Sequence, residues 1–326
     1  MTRRKAPPPA AHGAPSQADL WAEDLAADGY PVPALTPIQS RMVNAAGDIA
    51  TEAPDRIDYL HSVLCQVGLP RSKTDALSFT RTSGNVGLLV EAGKLWNGRE
   101  WVQQPLPYGT RPRLALVHIS SEAIRTKSRV VEVGNSVRDF LLTLGADTGG
   151  HEYSRFRAQM KALAACHMTL GMGLRTHKAD PIKDFQAWLH STGTQTTLWP
   201  GTLELTPEFY NTLREMAVPM DPRALSALRH SALALDTYTW LAHRLHRVRQ
   251  PAGAKLSWAN LREQFGQEYK NPKDFKKKMA AALRAVLAVY PDAHVDEVAG
   301  GIVLLPSRPP IPKTMVPVAK ADGEGS

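Results

Sequence analysis

Residues 255–305 have the sequence KLSWANLREQFGQEYKNPKDFKKKMAAALRAVLAVYPDAHVDEVAGGIVLL and carry the clearest pattern of helices and strands in this chain. Ser257 and Asn271 are N-cap residue types that each precede a helical pattern, and Pro272 suits a first helical turn. Ala299-Gly300-Gly301 separates two extended runs and is typical of a hairpin turn. The stretch therefore predicts a very short strand at 255–256, helices at 257–265 and 272–289, and strands at 293–298 and 302–305.

The same order of elements is predicted twice along the chain. A long helix at 222–249 precedes the stretch above, so the order is helix, strand, helix, turn, helix and hairpin, as in a winged helix-turn-helix. The upstream patterns predict helices at 112–127, 136–144 and 151–166, a strand at 130–133, and two closing strands at 169–175 and 196–205 that pair with each other. Before them come a helix at 55–67 and extended segments at 77–82, 86–92 and 100–103.

These patterns predict an α+β, mostly helical fold of two tandem winged helix-turn-helix domains with disordered tails. The two third helices share a Phe-x-x-x-Met pattern, which supports the repeat: Phe156 with Met160, and Phe275 with Met279. The predicted organisation is a proline-rich, largely disordered N-terminal tail at 1–54, a first winged helix at 55–205, a second at 206–310, and a disordered C-terminal tail at 311–326.

The helix at 273–290 has two distinct faces when its residues are placed at 100° per residue. The apolar arc is a core stripe of Phe275, Met279, Ala282, Leu283, Val286 and Tyr290. The second arc is basic, with the small Ala280 at its centre, and consists of Lys273, Lys276, Lys277 and Arg284. Such a face suits a DNA groove, where Lys and Arg reach phosphates and guanine edges. The alternative is an ordinary solvated basic helix face.

The charge distribution favours a nucleic-acid partner. The 326-residue chain has 39 Lys and Arg residues against 31 Asp and Glu residues, a net charge of +8. Between 222 and 291 alone there are 13 basic and four acidic residues, a surplus of nine. Charge concentrated on a helix-turn-helix is the electrostatic footprint of a DNA-binding protein.

The third helix of the first winged helix also carries side chains that can touch phosphates or bases. They are Arg155, Arg157, Gln159 and Lys161. Surface residues of a folded domain are the alternative interpretation for any one of them. The hairpin of the second winged helix is acidic, with Asp296 and Glu297 near its turn, so we expect little phosphate contact there.

Other signals exclude most alternative classes. The sequence has no run of about 18 apolar residues, so no membrane-spanning helix is predicted. Prolines follow the basic residues at the N-terminus, so a secretory signal is not expected. Cys65 and Cys166 form no CxxC pair, and we expect a cytoplasmic protein with free thiols. Asp236 lies in an apolar helical run and needs a basic partner or a helix N-terminus. His243 and His246 have no carboxylate or thiolate nearby in sequence that could complete a metal site. Tyr238 lies in an apolar helix and is predicted to be a core residue. No metal-binding or nucleotide-binding motif is complete. We therefore expect no enzyme activity, metal or cofactor.

Residues 226–245, SALRHSALALDTYTWLAHRL, resemble the signature of plasmid-encoded RepA replication initiators. The segments 256–261, 290–293, 304–310, 122–126 and 132–136 fit the same family, so that the similarity spans about residues 70–310. The resemblance implies tandem winged helices that bind repeated origin sequences (iterons) in double-stranded DNA, with the second winged helix reading the major groove.

The resemblance also implies partners and regulation. Related initiators dimerise through the first winged helix, can repress their own gene, and as monomers help to open an adjacent AT-rich region. The host initiator and the replicative helicase are the implied partners, and a monomer–dimer equilibrium is expected. A winged-helix transcriptional repressor without a role in replication is the alternative function.

Overall fold

The computed structural model describes residues 35–134, 136–144, 149–183 and 201–316. Most of the predicted tails therefore lie outside the described residues. The helices are α1 (Pro37–Thr51), α2 (Ser62–Gln66), α3 (Thr110–Thr126), α4 (Val137–Thr143), α5 (Gly150–Ala165), α6 (Pro207–Met216), α7 (Pro222–Leu228), α8 (Ala232–Arg244), α9 (Trp258–Phe265) and α10 (Pro272–Ala288).

The strands are short and form small antiparallel sheets. They are β1 (Asp58–His61), β2 (Ser78–Ser83), β3 (Val86–Glu91), β4 (Lys94–Trp96), β5 (Trp101–Gln103), β6 (Val130–Glu132), β7 (His167–Met172), β8 (Arg175–Lys178), β9 (Thr202–Glu204), β10 (Ala217–Met220), β11 (Ala254–Ser257), β12 (Val295–Val298) and β13 (Gly301–Leu304). The sheet orders are β2-β3-β7-β8, β11-β13-β12, β1-β10, β4-β5 and β6-β9. The described part of the chain is thus an α+β fold, as predicted.

From residue 254 to residue 304 the predicted order of strand, helix, helix and hairpin is observed, whereas β10 between α6 and α7 was not predicted. The strand β11 pairs with β13, and β12 closes the same three-stranded sheet. The turn between β12 and β13 uses Gly300 at φ 86°. At Gly301 a Cβ would lie 1.9 Å from the carbonyl oxygen of Leu256, so only glycine lets β11 approach this closely.

The prediction of one long helix at 222–249 is wrong in one respect, because the chain forms two separate helices there, α7 and α8. The side chain of Asp221 caps α7 by accepting from the backbone N–H of Arg223. The hydroxyl of Ser231 then caps α8 by accepting from the backbone N–H of Ala234. The second N-cap starts a new helix, so the helical run is interrupted between Leu228 and Ala232.

In the first half, 55–205, the order of helices is as predicted, but the strand pairing is not. The predicted strands 169–175 and 196–205 do not pair with each other. Instead β7 pairs with β3 and with β8, while β9 pairs with β6. A two-residue turn at Gly173 and Leu174 returns the chain at once into β8. Residues 184–200, which include the first part of the predicted strand 196–205, lie outside the described residues.

The N-terminal segment also departs from the prediction of a disordered tail through residue 54. Residues 37–51 form α1, which begins with a capping box between Thr36 and Gln39. At its other end, the carbonyl oxygen of Asp48 accepts a hydrogen bond of 2.9 Å from Arg223 Nη1 of α7. Apolar side chains of α1, such as Met42 and Ile49, pack against the core.

One continuous hydrophobic core contains residues from both halves. The strand β1 lies where a helix at 55–67 was predicted, and it pairs with β10 of the second half through Asp58–Met220 to His61–Ala217. The division into two domains stays a prediction, but the two halves share their core. Within the described ranges, no helix is both long and apolar enough to cross a membrane.

Candidate nucleic-acid interface

The helix α10 is built by strong local signals. The Oδ1 atom of Asn271 accepts a hydrogen bond of 2.9 Å from the backbone N–H of Lys273, and Pro272 occupies the first turn. The side chains of Phe275 and Met279 are almost completely buried. Burial of one such side chain contributes about 1.5–3 kcal/mol. The core stripe therefore fixes which face of α10 remains in solvent.

The predicted basic arc of Lys273, Lys276, Lys277 and Arg284 is exposed. Ala280 lies half-buried among these side chains and leaves room between them. Lys273, Lys277 and Arg284 form no ion pair with any residue that the structure describes. Three of the four cations therefore keep their charge available for an anionic partner.

Lys276 has partners within the protein. Its Nζ atom lies 3.6 Å from Glu297 Oε1 on β12 and 4.9 Å from the centre of the Trp258 ring. Both side chains of the ion pair are about half exposed, so the pair is weak. The acidic hairpin thus holds one cation of the basic arc, which the sequence did not reveal.

The helix α5 places its predicted contact residues less favourably. Arg155 is exposed but forms an ion pair of 3.4 Å with Glu152. The Arg157 guanidinium lies over the Tyr153 ring at 5.9 Å. Lys161 is half-buried, and this burial lowers the pKa of its ammonium group.

Gln159 requires a correction, because its side chain is buried. Its Oε1 atom accepts a hydrogen bond of 2.7 Å from the backbone N–H of Tyr108. The side chain therefore satisfies a backbone group inside the fold and does not reach the surface. Counting residues along α5 could not show this, because the loop that covers Gln159 is distant in sequence.

A buried ion cluster lies behind the turn that leads into α10. Its members are Arg71, Arg81, Arg113, Asp236 and Glu268. Asp236 on α8 accepts hydrogen bonds from Arg113 Nε at 2.7 Å and from Arg71 Nε at 2.9 Å. Burial would raise the pKa of Asp236, but Arg113 and Arg71 hold it below its ordinary value. The prediction that Asp236 needs a basic partner is confirmed.

The same cluster anchors the turn between α9 and α10. Glu268 accepts hydrogen bonds from the backbone N–H of Arg71 at 2.6 Å and from its Nη1 atom at 2.9 Å. Arg81 Nη2 lies 3.5 Å from the same carboxylate, and burial lowers the pKa of Arg81 to about 10. At Gly68 a Cβ would lie 2.5 Å from Asp236 Oδ1, so glycine is needed there. Residues of the first half therefore position the start of α10.

The remaining side chains that were considered for catalysis or metal binding are those of Tyr238, His243 and the two cysteines. Tyr238 is buried, and its hydroxyl accepts from the backbone N–H of Asp221 at 3.0 Å, which is a structural role. Burial and Arg247 lower the pKa of His243 to about 4. Cys65 and Cys166 are buried and unpaired, as predicted, and burial raises the pKa of both thiols. Among the described residues, no group of three or more potential metal ligands occurs.

Comparison with known proteins finds a matching family model and similar solved structures. Two crystal structures containing domains 2 and 3 of RctB are similar to this chain. The first has a TM-score of 0.47 at 12% identity and covers 74% of this chain and 94% of that chain. The second, a selenomethionine derivative, has a TM-score of 0.48 at 10% identity and covers 74% and 95%. No curated protein matches the chain.

The family model described as plasmid encoded RepA protein matches residues 106–260. This span includes α8, whose sequence carries the most specific part of the resemblance, and all of α3 to α7. The match supports a role in the replication of a plasmid. Over residues 106–260, just under half of its length, the chain is similar to the family of plasmid-encoded RepA proteins.

Proposed function

We propose that the chain is a plasmid replication initiator that binds direct repeats in double-stranded origin DNA. The observation that carries this proposal is the basic arc of α10, which is exposed while its neighbouring face is locked into the core. The match of residues 106–260 to the RepA family model and the surplus of nine positive charges between 222 and 291 support it.

The dimensions of α10 suit the major groove. A helix with its side chains is about 10–12 Å across, and the major groove is about 12 Å wide. Lys273 and Lys277 lie near the N-terminal end of α10, and Arg284 lies two turns further along the same arc. In this proposal Arg284 and the lysines contact guanine edges and phosphates, and Ala280 permits a close approach of the helix backbone.

The elements around α10 are interpreted as a winged helix. The helices α8, α9 and α10 and the sheet β11-β13-β12 follow the expected order, with β12 and β13 as the wing. Asp296 and Glu297 make this wing acidic, so it does not serve as a phosphate clamp. Base reading in the second half is therefore assigned to α10 alone.

Further steps follow from the family and are part of the proposal. Binding to adjacent repeats prepares an AT-rich region for opening and brings in the host initiator and replicative helicase. The chain exchanges between monomer and dimer and represses its own gene. Arg155, Arg157 and Lys161 supply auxiliary contacts from the first half. None of these steps uses a cofactor or a catalytic residue.

The proposal is tested with overlapping duplexes that tile the replicon carrying the gene, mixed with the purified full chain and excess competitor DNA. Neutralising the basic arc in K273Q/K276Q/K277Q/R284Q should weaken specific binding at least about a hundredfold. All four side chains are exposed, so circular dichroism and the melting temperature should not change.

The matched control is K278Q, which removes an exposed lysine of the same helix outside the basic arc. This variant should bind like the wild type.

Each lost phosphate contact should reduce the salt dependence of binding, d log K/d log[salt], by about 0.9. A folded quadruple variant with wild-type affinity would exclude α10 as the reading helix.

A repressor without a role in replication is distinguished by a second assay. A replicon that depends on the gene for maintenance is lost when the quadruple variant replaces the wild type, if the chain initiates replication. Retention of that replicon, together with loss of repression at the gene's promoter, would assign the repressor function instead.

A further inference from the structure

Leu174 is the most exposed large apolar side chain in the described part of the chain, with a relative exposure of 106%. It forms the two-residue turn between β7 and β8 together with Gly173. We call the residues 172–175 the Leu174 tip. A Cβ on Gly173, or on Gly84 in the neighbouring turn of β2 and β3, would meet no heavy atom within 4 Å. The tip therefore projects into open space.

Folding does not require leucine at this position. Gly173 supplies the positive φ of 58°, and Leu174 has a negative φ that any residue can adopt. Two-residue turns of this kind favour Gly followed by Asn, Asp or Ser. A leucine here exposes apolar surface to water and gains no packing in the folded chain. Its side chain is thus available for a partner.

The two adjacent turns and the strands that lead to them contain no acidic residue. The segments 78–87 and 171–178, which form the two adjacent turns and their strands, contain no Asp or Glu. Arg175 and Lys178 are exposed and form no ion pair within the described residues. The turns are held side by side because the backbone N–H of Gly173 donates to the carbonyl of Asn85 at 2.9 Å. This end of the sheet is complementary to a polyanion.

We propose that the Leu174 tip inserts into the minor groove of the DNA and wedges a base step apart, while Arg175 contacts the adjacent phosphate. This inference rests on the proposed function, because it adds a second contact to a DNA-bound chain. A two-residue turn is narrow enough for a groove about 6 Å wide. Apolar side chains inserted in this way unstack a base step and kink the duplex by about 20–90°.

The proposal also explains why one hairpin is basic and the other acidic. The tip of β7 and β8 approaches phosphates, whereas the hairpin of β12 and β13 carries Asp296 and Glu297 and stays away from them. The minor-groove contact of the first half is thereby assigned to the Leu174 tip, with α5 beside the backbone of the duplex.

The test uses the full chain and the replicon duplex that it retains most strongly. L174N introduces a residue that the turn favours, and L77N is the matched control. Leu77 is also exposed, at 56%, but it precedes β2 at the opposite end of the same sheet. Affinity is measured by titration, and DNA bending by energy transfer between dyes at the two ends of the duplex.

We expect L174N to bind about tenfold more weakly and to reduce the bend by about 20° or more, while L77N matches the wild type in both. Hydroxyl-radical footprinting should show minor-groove protection that L174N loses. Equal affinity, bend and footprint for L174N and the wild type would overturn the inference. So would a change in the sedimentation mass of L174N without DNA, because the tip would then contact a second copy. If the wild type retains no duplex specifically, the proposed function itself fails, whatever L174N does.

Discussion

The two halves of the chain each contain a helix with a buried Phe-x-x-x-Met pattern, α5 and α10, and these two helices differ in where they place charge. In the second half, α10 turns Phe275 and Met279 inward and its basic arc outward. In the first half, α5 buries Phe156 and Met160 in the same way, but Gln159 beside them is buried and Arg155 is paired with Glu152. The Phe-x-x-x-Met pattern thus sets the buried face of each helix. The residues beside that face decide what the helix can bind.

Their sheets differ as well. The second half closes its own three-stranded sheet, β11-β13-β12. In the first half, the hairpin of β7 and β8 joins β3, and β6 finds its partner in β9. An added pair of strands, β2 and β3, therefore changes the surface of the first half. Two halves with a similar order of helices can therefore present different binding surfaces.

The largest expected effect concerns the buried ion cluster that joins the halves. D236N leaves Arg71 and Arg113 without their carboxylate, and breaking a buried ion pair costs about 3–5 kcal/mol. Urea unfolding of the full chain should show this loss in one transition that involves both halves. The control is E204Q, since Glu204 pairs with Lys183 at the surface, where a pair is worth about 1 kcal/mol or less. Two separate transitions, with only one shifted, would show independent domains.

The next prediction concerns the pH dependence of stability that arises from His61, which lies at the contact between β1 and α6. His61 is fully buried against Phe209, and burial, with His177 nearby, lowers the pKa of its imidazole to about 4. The unfolded chain takes up this proton near pH 6.5, whereas the folded chain resists until about pH 4. Stability should therefore fall as the pH drops from 6.5 to 4, by about 3 kcal/mol from this group.

H61N tests this origin, because its amide oxygen can replace His61 Nδ1 as the acceptor for the backbone N–H of Val63. The variant should lose about 3 kcal/mol of the stability decline between pH 6.5 and 4, measured by urea unfolding at several pH values. An unchanged decline would assign the pH dependence to other groups.

A smaller effect is expected from the cations of α5. R155Q/R157Q/K161Q should weaken specific DNA binding by about tenfold or less, against about a hundredfold or more for the basic arc of α10. The reason is that Glu152 already pairs with Arg155, and Lys161 is half-buried. The two variants are compared by titration at one salt concentration. Equal losses would mean that the halves contribute equally and would remove the contrast drawn above.

The smallest effect is a gain in affinity. E297Q removes the carboxylate that lies 3.6 Å from Lys276 Nζ and thereby frees a cation of the basic arc. Specific binding should strengthen by about two- to threefold, as expected for an exposed ion pair. D292N, which removes an exposed carboxylate outside the hairpin, should have a smaller effect. Weaker binding by E297Q would show that Glu297 positions Lys276 for DNA and does not hold it back.

The sequence alone determined the helices with strong caps and the position of the basic arc. Asn271 with Pro272, Ser257 and Ser136 begin helices where predicted, because an N-cap acts on backbone groups two or three residues away. The basic arc follows from helical periodicity, which is also local. The resemblance to RepA proteins could be seen in residues 226–245 for the same reason, since it needs only consecutive residues.

The pairing of the strands, the burial of Gln159 and the partners of Asp236 follow from tertiary contacts and could not be predicted from local sequence. Arg71, Arg113 and Glu268 are 165, 123 and 32 positions away from Asp236 along the chain, and no sequence period joins them. The pairing of β7 with β3, and with it the Leu174 tip, also depends on contacts between distant segments. Such contacts form because burial and ion pairing act through space, whereas caps and periodicity act along the chain.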